Sequence, residues 1–131
     1  MLLASIVLAA ALSELPLYGE DIIVLIAKKL GYAEVNQPCS ADDGEVRVAV
    51  LKGGKVVLDG NETTAAAAGD EIYQSRTVYL SMCLYVEGPM QPEAERAFRT
   101  VESAIARANL SFARFADANF QLRVKPKMAG R

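Results

Sequence analysis

The clearest pattern in the chain is an alternation of apolar and more polar residues over positions 77–86. A period of two residues is typical of a β-strand, whose successive side chains point to opposite faces of a sheet. One face is wholly apolar and is predicted to lie in the core: Val78, Leu80, Met82, Leu84 and Val86. The other face is amphipathic and is predicted to be partly covered or to face another subunit: Thr77, Tyr79, Ser81, Cys83 and Tyr85.

Three further strands are predicted from shorter runs of the same period, at residues 46–50, 55–58 and 120–125. Gly53-Gly54 separates the first two of these runs. Tight hairpin turns need positive φ angles, which glycine adopts without steric cost, so this pair predicts a β-hairpin.

An amphipathic helix is predicted over residues 92–108. Pro92 suits the first helical position, and the acidic Glu93 and Glu95 complement the helix dipole there. The apolar stripe has helical spacing, which indicates packing on a sheet face; it comprises Ala94, Ala97, Phe98, Val101, Ala104, Ile105 and Ala108.

The intervening segments carry weaker patterns. Residues 34–45 are rich in turn-forming residues and are predicted to form a loop. Residues 62–71 show no usable strand period and are predicted to form a mobile loop. Residues 110–119 fit either a short helix or a loop.

The chain begins with an almost wholly apolar run, residues 1–13, and we predict a buried helix over residues 2–15, ended by Pro16. At 1.5 Å per residue the run spans about 20 Å, less than the roughly 30 Å hydrocarbon core of a membrane. A secretory signal peptide is an alternative, although no Lys or Arg precedes the run. Because such a helix must be covered on all sides, Leu3, Ile6 and Val7 are predicted to contact a neighbouring subunit.

A second helix is predicted over residues 20–30, with Gly31 as its left-handed cap. The predicted order is therefore α-α-β-β-β-α-β, in a single α+β domain over residues 1–131. It has a helical part at 1–30 and a sheet with its helix at 45–126. Because the first strands are joined by short turns, a mostly antiparallel small sheet packed by helices on one face is expected.

Charge is distributed unevenly along the chain. Residues 1–90 carry 6 Lys and Arg against 12 Asp and Glu, a net charge of −6, and residues 91–131 carry 8 against 4, a net charge of +4. The last residues form a basic tail that contains Arg123, Lys125, Lys127 and Arg131. Opposite charges in one chain can align identical copies, which favours a homo-oligomer. The net negative charge of the whole chain does not favour a nucleic-acid partner.

The composition excludes much of the common enzymatic chemistry. The chain has no His, so His-based triads and His metal sites are excluded, and its two cysteines are too few for a four-cysteine zinc site. Cys83 is predicted to be a core thiol, and a Cys39–Cys83 disulfide is the alternative. Tyr79 and Tyr85 are predicted to lie in a subunit interface. We predict no enzyme activity, no catalytic, cofactor or metal site, and no small-molecule substrate.

Residues 45–105 resemble the tail-terminator, or tail-completion, proteins of long-tailed phages. The resemblance lies in a long strand, SRTVYLSMCLYVEG, followed by a loop and an acidic amphipathic helix, QPEAERAFRTVESAI. It implies a structural virion protein that forms a ring, caps the tail tube and joins it to the neck. Its partners would be copies of itself and tail-tube and neck proteins, with no membrane partner. A neck subunit or another tail-completion subunit fits the same pattern.

Two other functions stay open. Residues 45–62, EVRVAVLKGGKVVLDGNE, look similar to periplasmic domains of biopolymer-transport proteins. This predicts an exported or membrane-tethered domain with residues 1–13 as signal or anchor, located outside the cell or in the periplasm rather than in a virion assembled in the host cytoplasm. A peptide-binding, secretion-type chaperone is the second alternative, because such proteins are also small, acidic and α+β.

Overall fold

The computed structural model describes residues 29–89 and 91–126. The predicted helix over 2–15, with Leu3, Ile6 and Val7, lies outside these residues, as does nearly all of the predicted helix over 20–30. Gly31 is described, and its φ angle of +100° is the left-handed conformation expected just beyond the end of a helix.

The described chain is an α+β fold, as predicted, and it contains two α-helices and seven strands. The elements in chain order are β1 (Tyr32–Asn36), a 3-10 helix (Ala41–Asp43), β2 (Glu45–Val50), β3 (Val56–Leu58), β4 (Asn61–Thr63), α1 (Ala65–Gln74), β5 (Ser81–Val86), α2 (Pro92–Arg107), β6 (Ser111–Arg114) and β7 (Leu122–Pro126).

Five of the strands form the main sheet, in the order β4-β3-β2-β5-β6. The β2–β3 and β3–β4 pairs are antiparallel, whereas β5 runs parallel to both β2 and β6. Helix α2 makes the crossover that a parallel β5–β6 pair requires. Strands β1 and β7 form a separate antiparallel ribbon, so most of the pairings are antiparallel, as expected.

The larger core lies between the main sheet and the two helices. The sheet contributes alternate residues of β2, β3 and β5, and the helices contribute their apolar stripes. The fully buried members include Val48, Val50, Val56, Ile72, Met82, Leu84, Val86 and Val101. The predicted stripe of α2 is therefore confirmed, and the predicted core face of β5 is confirmed from Met82 onward.

Val78 and Leu80 do not belong to this core, and the prediction that placed them there is wrong. They are 74% and 68% exposed, because the strand begins only at Ser81. A turn precedes it, in which the backbone N–H groups of Val78 and Tyr79 donate to the Ser75 carbonyl at 2.9 and 3.0 Å. The residue types continue to alternate through this turn, but its backbone is not extended, so alternate side chains do not share one face of the sheet.

The predicted mobile loop over 62–71 is also wrong, because most of it is helix α1. Thr64 caps this helix, with its Oγ1 accepting a hydrogen bond from the N–H of Ala67 at 3.1 Å. Gly69 lies against α2, and a Cβ added to it would stand 3.3 Å from the Cβ of Ala104. The four alanines that start α1 favour a helix but carry no amphipathic signal, which explains why the periodicity missed it.

The remaining segments resolve into short strands. The predicted loop over 34–45 contains the end of β1 and the 3-10 helix. The prediction of a short helix or a loop over 110–119 is wrong for residues 111–114, which form β6 because they pair with β5. The last strand, β7, lies within two residues of its predicted position. The Gly53-Gly54 hairpin is confirmed, since the Leu51 N–H donates to the Lys55 carbonyl at 2.8 Å and Gly54 has a φ angle of +88°.

Candidate functional site on the open face of the sheet

The face of the main sheet turned away from the helices carries a second, smaller cluster of buried residues. Its sheet members are Ala49, Cys83 and Tyr85, and its cover consists of Cys39, Phe115 and Phe120. The Phe120 ring lies 5.6 Å from that of Phe115 and meets the Tyr85 ring edge-on at 6.3 Å, measured between ring centroids. The amphipathic face of β5 is therefore partly covered, as predicted, and the cover comes from the same chain.

A disulfide joins this cover to the sheet. Cys39, in the loop after β1, is bonded to Cys83 of the interior strand β5, with their Cα atoms 6.1 Å apart. The Cys39 N–H also donates to the Phe120 carbonyl at 2.9 Å. Cys83 is buried, as predicted, but it is disulfide-bonded rather than a free thiol, so the alternative pairing is the observed one.

Beside the disulfide lies an ion pair between Glu45 of β2 and Arg123 of β7. Arg123 Nη2 approaches Glu45 Oε1 at 2.8 Å and its Nη1 approaches Oε2 at 3.1 Å, in a bidentate geometry. The two side chains are only 11% and 15% exposed, for Arg123 and Glu45 respectively. The carboxylate also accepts from the Ser40 N–H at 2.9 Å and from the Ser81 hydroxyl at 3.4 Å.

The predicted basic tail is therefore divided. Arg123 is committed to Glu45, and it further donates to the carbonyls of Gln37 and Pro38 at 3.4 and 3.3 Å. Lys125 is exposed on β7, whereas Lys127 and Arg131 lie outside the described residues.

This ion pair should contribute measurably to stability. In a double-mutant cycle of Arg123→Met and Glu45→Gln, we expect a coupling free energy of about 1–3 kcal/mol from urea unfolding, because the pair is bidentate and mostly desolvated. The exposed Lys55–Glu62 pair, 3.6 Å apart, is the matched control and should couple by less than about 1 kcal/mol. Equal coupling free energies in both pairs would contradict the expectation that burial strengthens the Glu45–Arg123 interaction.

The same pair should make stability pH-dependent. The hydrogen bond from Arg123 is the main cause that holds the pKa of Glu45 below its ordinary value of 4.5. The stabilisation is therefore complete above the unfolded-state pKa and is lost as pH falls through the lower folded-state pKa. We expect the stability difference between the wild type and Glu45→Gln to shrink as pH falls below about 4.5. Urea unfolding of both proteins at a series of pH values measures this difference, and a difference that did not change with pH would contradict the prediction.

Next to the ion pair, the cover leaves part of the sheet open as a groove of about 660 Å³. Its floor is formed by apolar or aromatic side chains, namely Ala49, Leu51, Val57 and Tyr85, and Phe120 of the cover also lines it. Charged residues also line it, namely Glu45, Arg47, Asp59 and Glu87. Since Glu45 is neutralised by Arg123, the groove offers two further carboxylates and one guanidinium, and that guanidinium lies 5.7 Å over the Phe120 ring. The groove therefore favours a ligand with an apolar body and a cationic group.

Tyr85 is the polar group of the groove floor. Burial is the main cause that raises the pKa of its hydroxyl, and the nearby Glu87 and Asp117 raise it further. The phenol thus stays protonated at neutral pH and can donate a hydrogen bond.

The two tyrosines predicted to share a subunit interface are not brought together. Tyr79 packs against the helix-side core, whereas Tyr85 lies in the cluster on the open face. Their role in a subunit interface stays a prediction, now with each tyrosine on a different side of the sheet.

The sequence patterns did not predict the ion pair between Glu45 and Arg123. Glu45 and Arg123 are 78 residues apart, and nothing in either local pattern links them. A signal did exist in part: Arg47 falls on the polar side of the strand predicted over 46–50, and Glu45, two residues earlier, continues that side into the predicted loop.

Comparison with known proteins yields no relative from which a function could be transferred. No family model matches the chain, and neither the curated proteins nor the solved structures include a significant match. Within residues 29–89 and 91–126, no helix has the length and apolar character needed to span a membrane.

Proposed function

We propose that this protein is an exported, non-enzymatic α+β domain that binds a partner chain through the groove on the open face of its sheet. The observation that carries this proposal is the Cys39–Cys83 disulfide. Structural disulfides form and persist in oxidising compartments and are rare in the cytosol, where thiols are kept reduced. The disulfide thus favours the exported domain over the ring subunit assembled in a host cytoplasm.

Two further observations support the proposal. The segment that looks similar to periplasmic domains of biopolymer-transport proteins, residues 45–62, forms β2, β3 and the first two residues of β4. The groove has an apolar floor, and the carboxylates of Asp59 and Glu87 outnumber the single guanidinium of Arg47, which suits a peptide that combines apolar and basic residues. Nothing in this function requires catalysis.

The test is the redox state of the cysteines in the native cell. Cells are lysed in acid, free thiols are blocked with a small maleimide, and the sample is then reduced and labelled with a heavy maleimide. We expect both cysteines to take the heavy label, and mass spectrometry of the same sample should find a terminus processed after the apolar run or the chain in a membrane or extracytoplasmic fraction. Two cysteines blocked before reduction, in a soluble cytosolic chain that starts at Met1 or Leu2, would overturn the proposal.

A second candidate function is the tail-terminator-like ring subunit, and the exposed apolar residues favour it. Val78 and Leu80 precede β5 and Phe112 lies on the edge strand β6, and all three expose much of their apolar surface. Contact between identical copies would cover such residues. Light scattering at high concentration should then show a closed oligomer that Leu80→Ser disrupts and the exposed control Lys52→Ser does not. A monomer at every concentration would exclude this candidate.

A further inference from the structure

The disulfide and the ion pair place three metal-ligand atoms in one small space. The Sγ atoms of Cys39 and Cys83 and a carboxylate oxygen of Glu45 all lie within 4.8 Å of one another. Both cysteines are buried, and Glu45 is mostly buried and is oriented by hydrogen bonds from Arg123, Ser40 and Ser81. We propose that the reduced form of this chain binds one Zn²⁺ ion through Cys39, Cys83 and Glu45.

The geometry requires only small movements once the disulfide is open. Zinc binds thiolate sulfur at about 2.3 Å and carboxylate oxygen at about 2.0–2.2 Å, so ligand atoms on a tetrahedral ion stand about 3.5–4 Å apart. The three atoms already lie within 4.8 Å of one another, and the sulfur atoms must separate while the carboxylate moves in slightly. Cys39 lies in a loop, whereas Cys83 is held in the interior strand β5 by its pairing with β2 and β6.

The charges of the cluster balance around a divalent ion. Two thiolates and one carboxylate carry three negative charges, of which Zn²⁺ neutralises two. The guanidinium of Arg123, 2.8 Å from the Glu45 carboxylate, neutralises the third. A partly buried site with no net charge avoids much of the desolvation cost that an unpaired ion would pay.

The reaction has two balanced steps. A dithiol reductant transfers two electrons and two protons to the disulfide, so that the S–S bond breaks, two thiols form and the reductant is oxidised to its own disulfide. Zn²⁺ then displaces the two thiol protons as both Zn–S bonds form. Because Glu45 lines the groove, the fourth coordination position would be reached from the groove and filled by water.

The experiment uses the full chain, reduced with a water-soluble phosphine under anaerobic, metal-free conditions and titrated with Co²⁺ as a spectroscopic probe. We expect one Co²⁺ per chain, with a sulfur-to-cobalt charge-transfer band and the visible bands of a tetrahedral ion, and displacement by Zn²⁺. Glu45→Gln should weaken binding at least tenfold, by analogy with the loss of groups that support metal sites. Glu87→Gln, which removes a groove carboxylate outside the cluster, should bind normally, and the oxidised chain should give neither band.

Circular dichroism keeps the test valid if the reduced chain loses structure. In that case Zn²⁺ should restore the folded spectrum of the wild type and of Glu87→Gln but not that of Glu45→Gln. The absence of Co²⁺ binding by the reduced wild type, or equal binding by Glu45→Gln, would overturn the proposal, since a simple dithiol chelator has no need of Glu45. This outcome is independent of the export proposal, which depends on the redox state in the cell.

Discussion

Replacing both Cys39 and Cys83 with alanine is expected to lower the free energy of unfolding by about 4 kcal/mol. The disulfide closes a loop between residues 44 positions apart, and the chain-entropy relation gives about 4 kcal/mol for a loop of that length. A small domain is stable by only about 5–15 kcal/mol, so the double variant should lie close to its unfolding threshold at 37 °C. Urea unfolding at 25 °C, with a chelator present to exclude metals, measures the difference.

The control for this prediction is the wild type reduced under the same conditions. It retains both sulfur atoms, so it separates the loss of the cross-link from the loss of side-chain volume at the buried Cys83. We expect reduction alone to account for most of the destabilisation. A reduced wild type as stable as the oxidised one would show that the disulfide contributes nothing to the fold.

The second large effect is expected from Phe115→Ala, with a loss of about 3–5 kcal/mol. Phe115 is the largest fully buried side chain among residues 29–89 and 91–126. Its ring packs against Phe120, and its centroid lies 4.9 Å from the guanidinium carbon of Arg123. Its removal would therefore leave a cavity next to both Phe120 and the ion pair. Thermal and urea unfolding should both register the loss.

Phe112→Ala is the matched control, three residues earlier in the chain. Phe112 lies on the edge strand β6 and is 39% exposed, so its truncation should cost less than about 1 kcal/mol. If the two variants proved equally destabilised, the second cluster would not be a separate core.

The helix-side core could be predicted from the sequence, because its signals are local. Residues 46–50, the Gly53-Gly54 turn and the stripe of α2 each have a period or a turn chemistry that holds within a dozen residues. The errors occur where apolar periodicity is absent or misleading. Helix α1 starts with four alanines, which show no apolar period. The turn at Ser75 is not extended, although the residue types continue to alternate through it.

The open face was harder to predict, because the disulfide and the ion pair that hold it together join residues far apart in the chain. The Cys39–Cys83 pairing was one of two alternatives, and no local pattern connects Glu45 with Arg123. Phe115 and Phe120 belong to the segment that connects β6 to β7, and this segment has no clear apolar period. Only the folded chain shows that these residues form one site.

The β1–β7 ribbon has a mechanical consequence. Tyr32 pairs with Pro126, so the first residue of β1 and the last residue of β7 lie side by side at one end of the ribbon. The ribbon is anchored to the sheet on its β1 side by the disulfide, through Cys39, and on its β7 side by Arg123 and its salt bridge. A force applied at this end of the ribbon would therefore be carried partly by a covalent cross-link to β5, and reduction would remove that cross-link while leaving the non-covalent contacts of the ribbon.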